Sequence, residues 1–204
     1  MLSKIDRRMT PEEFHAWQEG EDEKYELVGS YPVLRCPDLE MMTGASRRHD
    51  QIVWNILAEL KVQLRGGPCR GFTSDTAVKT TTGNRRRPDA GVECGKRDDK
   101  AHDAGDVRMV AEVLSPSTHE LDMFGKLDEY RAIPTMHYVL LIEPNAPRAI
   151  LWARGDNMSW DHVVVEGLDS SVELPSVGVS LKFRDIYDEI DFDSVPHLVD
   201  GSGA

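Results

Sequence analysis

Ile52, Ile56 and Leu60, flanked by Val53, Leu57 and Leu64, recur at helical spacing between polar residues. They predict an amphipathic helix from about Ser46 to Leu64, stopped by Gly66-Gly67-Pro68. Thr10-Pro11-Glu12-Glu13 starts an earlier helix, with Thr as cap, Pro in the first turn and Glu three residues after the cap, running to about Glu19. Ser115-Pro116-Ser117-Thr118 caps a third from about His119 to Ala132, which Ile133-Pro134 ends. Between these helices the pattern shortens to strand length. Tyr25 to Val28, Tyr31 to Arg35 and Glu40 to Thr43 read as short strands, and Arg70 to Thr80 as a longer one before the turn Thr82-Gly83-Asn84. Ala90 to Cys94 and Asp106 to Leu114 are β-rich runs joined by the polar segment Gly95 to Gly105.

His137 to Glu143 is continuously apolar inside, as a central strand buried on both faces should be. Arg148 to Arg154 and Trp160 to Glu166 read as more exposed antiparallel strands, and a short helix near Phe183 to Glu189 closes the fold. This order predicts a mixed α/β (α+β) architecture: a central mixed sheet flanked by helices, with extra antiparallel strands toward both ends. At 204 residues the chain is expected to form one domain, residues 1–204, with 1–9 and 191–204 as loose tails.

The formal charge of −12 argues against a general nucleic-acid coating protein but not against an enzyme that grips phosphates locally. Basic clusters stand at Arg47-Arg48, Arg85-Arg86-Arg87 and Lys96-Arg97, the first two just ahead of candidate site residues; each reads equally as a solvated charge run. No apolar run approaches the roughly 20 residues of a membrane span. The N-terminus lacks the apolar core of a secretion signal. Cys36, Cys69 and Cys94 are odd in number, widely spaced and without a CxxC pair, which suits reduced thiols in a cytoplasm rather than a disulfide frame or a zinc site.

The candidate chemistry begins with strand register. If the two β-rich runs form an antiparallel hairpin centred on Gly95 to Gly105, Cys94 pairs with Val107 and Asp89 falls opposite Glu112. Facing side chains in such a ladder lie roughly 5 Å apart, where two carboxylates repel. A cation between them, or a proton on one, relieves this. Asp89, Glu112 and the main-chain carbonyl of Val113 could give a hard divalent cation three oxygen ligands. Leu114, two residues on, cannot add the positive group that phosphodiester cleavage needs. Lys126 can: it lies about 12 Å up its helix, and Glu112 about 10 Å back along its strand. The competing reading is an exposed pair with Asp122. His49 could bind phosphate or position water, or be a surface residue. Glu26 is odd for a buried strand face unless it meets a cation, or it is an edge acid facing solvent.

Arg87-Pro88-Asp89, Glu112 to Thr118, and Asp122 to Lys126 with Tyr130 together resemble the PD-(D/E)XK nuclease superfamily, and more narrowly its bacterial restriction-endonuclease branch. The resemblance extends from Thr10 to Phe14 through Tyr25-Glu26-Leu27 and His49 to Leu181–Tyr187. It implies a lysine moved from the strand to the following helix, where Lys126 stands, an acid at Glu26 and a histidine at His49. Two departures stand out. The expected Asp-Gly-Glu turn after Glu26 is shortened to Gly29-Ser30, and His137-Tyr138 replaces Tyr-Trp.

The resemblance implies a Mg2+- or Mn2+-dependent DNA endonuclease. Asp89, Glu112 and Val113 would hold the metal, Lys126 would assist the attacking water, Glu26 would be an auxiliary ligand and His49 a phosphate or water contact. Two alternatives share the residues: a catalytically inactive DNA-binding or interaction module, and a phosphohydrolase of small nucleotides. A homodimer is expected, built on the early or late strands, with Arg47, Arg48 and Arg85 to Arg87 lining a shared groove.

Overall fold

The computed structural model describes residues 7–34, 46–96, 98–114 and 120–192. Helix α1 (Pro11–Gln18) has the expected capping box, with the Thr10 hydroxyl accepting from Glu13 N and the Glu13 carboxylate accepting from Thr10 N. Strands β1 (Tyr25–Val28) and β2 (Tyr31–Leu34) form a hairpin whose two turn residues, Gly29 and Ser30, have φ of 57° and 69°. That is the turn sense matching strand twist, so the shortened turn leaves Glu26 in a regular ladder. Helix α2 (Arg47–Gln63) is capped by Ser46, as its apolar spacing predicts.

Five strands follow: β3 (Cys69–Thr73), β4 (Val78–Lys79), β5 (Arg85–Arg86), β6 (Ala90–Cys94) and β7 (Asp106–Val113). Helix α3 (Glu120–Arg131) crosses to β8 (Tyr138–Glu143), then β9 (Arg148–Arg154), β10 (Trp160–Glu166), β11 (Ser171–Leu174), β12 (Val179–Lys182) and α4 (Phe183–Ile186).

The main sheet has the order β10-β9-β8-β7-β6-β3; β7 and β8 are parallel, joined through α3, and its other pairs are antiparallel. Period-two alternation divides its core. Ala90, Val92, Met109, Ala111 and Val113 turn toward Ile52, Ile56 and Leu60 of α2. Val110, Val139 and Leu141 turn to the other face, against Leu127 and Tyr130 of α3. Glu112, two residues past Val110, therefore belongs to the α3 face. A smaller sheet, β2-β1-β5-β4, carries Glu26 and Arg86. Among the described residues no helix is long and apolar enough to cross a membrane.

Several expectations change. The hairpin keeps the predicted register from Ala90↔Ala111 to Val92↔Met109, but a bulge follows, so Cys94 pairs with Asp106 and not Val107. Arg108 is the extra residue, and its guanidinium bonds Asp106 and His137. The single strand Arg70 to Thr80 is two strands in different sheets. Thr76 N closes a turn on Thr73 O, and the Arg87 guanidinium donates to the Ser74 and Asp75 carbonyls, which turns the chain out of the main sheet. Strands β11 and β12 went unanticipated, and the last helix stops at Ile186.

Met9 and Phe192, expected in loose tails, pack against hydrophobic clusters. Cys69 and Cys94 are cross-strand neighbours joined by a disulfide, so spacing along the chain misled and the thiol argument for a reducing cytoplasm falls away. The proposed strand Glu40 to Thr43, the cap Ser115 to Thr118 and Cys36 lie outside the described residues.

Two stability predictions follow from this packing. The Phe72 ring lies against Gly91, where a methyl group would collide with three ring carbons. Gly91→Ala should cost about 1–3 kcal/mol in denaturant unfolding, and adding Phe72→Leu should return part of that loss. The disulfide spans a separation of 25 residues; by the chain-entropy relation its reduction should lower the unfolding free energy by about 3.5 kcal/mol, read as a lower denaturant midpoint in dithiothreitol.

Candidate active site

The pair Ala90↔Ala111 sets the next step of the ladder, so Asp89 stands beside Glu112 where β6 begins and β7 ends. Both carboxylates are buried, 7% and 5% exposed. The Asp89 Oδ2 atom accepts from Val113 N at 2.8 Å, and His49 Nε2 lies 3.2 Å from the same oxygen. His49 sits in the first turn of α2 and reaches Asp89 from the opposite face of the sheet. Residues of an extended strand direct their N–H and C=O to the same side. Because Val113 N points at Asp89, its carbonyl is turned that way too. The Tyr130 hydroxyl donates to Glu112 Oε1 at 2.8 Å. Burial first, then the charges of Glu112 and Glu26, raise the Tyr130 pKa well above its ordinary value, so it remains a protonated donor.

Lys126, Glu129 and Tyr130 stand at i, i+3 and i+4 on α3 and share one face. Lys126 Nζ is 3.7 Å from Glu26 Oε1. Arg86 joins Glu26 to Glu129: it donates to Glu26 Oε2 at 3.0 Å and holds both oxygens of Glu129, at 2.8 and 2.9 Å. Arg87 N donates to Glu26 Oε1 at 3.0 Å, and Asn84 Nδ2 to Glu129 Oε1 at 2.8 Å. Burial alone would push the Glu26 carboxyl up; Lys126, Arg86 and the Arg87 amide outweigh it and hold the pKa below 4.5. Burial likewise opposes the charge of Arg86, yet its bonds to Glu129 and the field of Glu26 raise its pKa.

Asp89, Glu112, Val113 and His49 thus meet at one end of the sheet, and Glu26 and Lys126 meet each other on the α3 face. The Arg85 to Arg87 cluster is turned inward and does not line an open surface. Arg85, Arg86 and Arg87 are only 4, 5 and 8% exposed. Arg85 Nε lies 2.8 Å from Asp103 Oδ2, Arg86 is held by Glu26 and Glu129, and Arg87 donates to main-chain carbonyls. Arg48 donates to Asp191 O at 2.8 Å and stacks over Phe192, while Arg47 is exposed. The Asp122 side chain lies outside the described residues. Sequence reasoning gave no role to Glu129, Asn84 or the pairing of Arg86. The available signal was polar residues at i, i+3 and i+4 on a helix face that also carries Leu127. Among the described residues no group of three or more His, Cys, Asp or Glu side chains could hold a metal ion. A cation at this end of the sheet would therefore complete its ligands, beside the two carboxylates, with a main-chain oxygen, water or substrate phosphate.

Residues 11–184 match the Uma2 family, described as "Putative restriction endonuclease". The chain is 30% identical over 182 residues to "Uncharacterized protein slr1290" of Synechocystis sp. (strain ATCC 27184 / PCC 6803 / Kazusa), covering 88% of this chain and 92% of that one. Its fold matches the crystal structure of a "putative nuclease belonging to DUF820" from Anabaena variabilis ATCC 29413, with a TM-score of 0.64, 15% identity and coverage of 88% of this chain and 97% of the other.

The lowered Glu26 pKa fixes the sign of an acid effect. Its contribution to stability is fully present above the ordinary value of 4.5 and is lost as pH falls through the folded-state value. The unfolding free energy of the wild type should therefore fall more steeply between about pH 5 and pH 3 than that of Glu26→Gln. Parallel profiles from urea titrations would deny Glu26 this role.

Proposed function

The chain belongs to the Uma2 family, and on that premise we propose that it is an endonuclease that hydrolyses phosphodiester bonds in DNA with Mg2+ or Mn2+. The observation that carries the reading is the buried pair Asp89 and Glu112, one ladder step beyond Ala90↔Ala111, with the Val113 carbonyl turned to the same side. An all-oxygen donor set of this kind suits a hard divalent cation, and two carboxylates completed by water and substrate phosphate are a usual complement. Bound there, the ion would supply an activated water and withdraw charge from a phosphate oxygen.

The chain's own groups do the rest. Val113 N and the His49 imidazole hold Asp89 Oδ2, and the Tyr130 hydroxyl holds Glu112 Oε1, so both carboxylates are oriented before substrate arrives. Lys126 brings a positive charge to the α3 face that carries Glu112, where it orients the attacking water and stabilises charge developing on the phosphate. Arg47, exposed at the start of α2, contacts the nucleic-acid backbone. Cutting both strands calls for two such sites, supplied by a homodimer. The edge strand β10, with Val163 and Val164 exposed, is one element with an edge to cover, as is β2 at the end of the small sheet.

Supercoiled plasmid incubated with Mn2+ should be nicked or linearised. Asp89→Ala should lower the rate by at least about 100-fold and Lys126→Met by about 10–100-fold, both with near-wild-type circular dichroism. An Asp89→Ala protein as active as the wild type would sink the reading. Cleavage of free nucleotides but no polynucleotide would assign the site to a small-molecule phosphohydrolase.

A further inference from the structure

The family resemblance implies that Glu26 is an auxiliary metal ligand, but its surroundings suit a different task. Glu26 Oε1 accepts from Arg87 N at 3.0 Å and faces Lys126 Nζ at 3.7 Å, while Oε2 accepts from Arg86 at 3.0 Å. Both oxygens already lie against positive or donating groups. A divalent cation drawn to Glu26 would sit next to a buried ammonium and a buried guanidinium, at a repulsive cost that grows in a low-dielectric site. The geometry points to Glu26 as the positioning residue of Lys126, held in turn by Arg86 and Glu129.

The four groups form one continuous run, Lys126 to Glu26, Glu26 to Arg86 and Arg86 to Glu129. Lys126 and Glu129 belong to one face of α3, Glu26 to β1 and Arg86 to β5. Charges alternate along this run, and of the contacts that join it the longest is Lys126–Glu26. Glu129 grips Arg86 through two bonds, which fixes the planar guanidinium and with it the oxygen that Arg86 holds on Glu26. A lysine side chain has four rotatable bonds and many rotamers, so an ammonium needed at one point must be held there. Glu26 does this from a strand, at 4% exposure.

The inference rests on the reading of Asp89 and Glu112 as the metal ligands, and its test separates the two. Three measurements are made on wild type, Glu26→Gln, Glu129→Gln and Asp89→Asn: Mn2+ affinity by isothermal titration, the rate of reductive methylation at Lys126 by mass spectrometry in metal-free protein, and plasmid cleavage. For Glu26→Gln we expect Mn2+ affinity within about threefold of wild type, whereas Asp89→Asn should lose it by about tenfold or more. Methylation of Lys126 should rise by about tenfold in Glu26→Gln and by a smaller factor in Glu129→Gln, because the ammonium is then released. Turnover in Glu26→Gln should fall with KM little changed, the sign of a group that acts in the transition state.

A loss of Mn2+ affinity in Glu26→Gln equal to that in Asp89→Asn would make Glu26 a ligand and overturn the proposal. So would an unchanged methylation rate at Lys126 in both glutamine variants. Wild-type protein that binds Mn2+ but cuts no nucleic acid would reject the nuclease reading alone, and the positioning role would then be decided by affinity and methylation. Should Glu26→Gln fail to fold, Glu129→Gln decides: faster methylation of Lys126 with Mn2+ affinity retained supports the relay, and an unchanged rate overturns it.

Discussion

A buried guanidinium stays charged, so acceptors must offset the cost of its burial, and Arg86 is met by carboxylates from two sides. At 5% exposure it lies between Glu26 on β1 and Glu129 on α3, so one residue of β5 ties the small sheet to the helix that covers the main sheet. Removing one partner of such a buried set typically costs about 3–5 kcal/mol, because the others are left charged in a low dielectric. The polar groups on the α3 face are placed by that tie together with the packing of Leu127 and Tyr130 on the main sheet. Tyr130 is one residue from Glu129 and reaches Glu112, and Lys126 is three residues before it. Asn84 adds a second strap, since it accepts from Gly29 N at the β1–β2 turn and donates to Glu129.

The opposite face reaches the site by other means. Helix α2 packs Ile52, Ile56 and Leu60 on β6 and β7 and brings its N-terminus toward Asp89 through His49. A helix N-terminus carries partial positive charge, which favours an ionised carboxylate near it. The two carboxylates are thus held from different layers: Asp89 by α2 and the strand amide of Val113, Glu112 by α3. A protein of formal charge −12 can gather cationic and donor groups at one sheet end because the helices, rather than the surface at large, deliver them.

Much of this was legible in the chain. The stripe Ile52-Ile56-Leu60 gave α2, the capping box gave α1, and the uninterrupted run after His137 gave the central strand β8. Simple counting across the hairpin brought Asp89 beside Glu112, since the sum holds from Ala90 to Val92 and the bulge falls farther along. That bulge was not legible, because its extra residue Arg108 also bonds His137, a partner that only tertiary structure brings near. The arginine run misled for the same reason. Arg85 to Arg87 look like solvated charge until the chain folds and Asp103, Glu26, Glu129 and the Ser74 and Asp75 carbonyls converge on them from distant segments. Cys69 and Cys94 are alike in this: only the pairing of β3 with β6 makes them neighbours.

The linked run of Lys126, Glu26, Arg86 and Glu129 constrains how such a chain can drift in evolution. A change of sign or length at any one member leaves its neighbours in the run mismatched, and burial removes the water that would forgive the error at a surface. Glu26 cannot become neutral without loosening Lys126, nor Glu129 without freeing Arg86. Substitutions here must therefore arrive in compensating sets, and the three-residue interval between Lys126 and Glu129 has to survive every insertion or deletion in α3. In a collection of descendants these four positions would change together or not at all, while the exposed residues of the same helix varied freely.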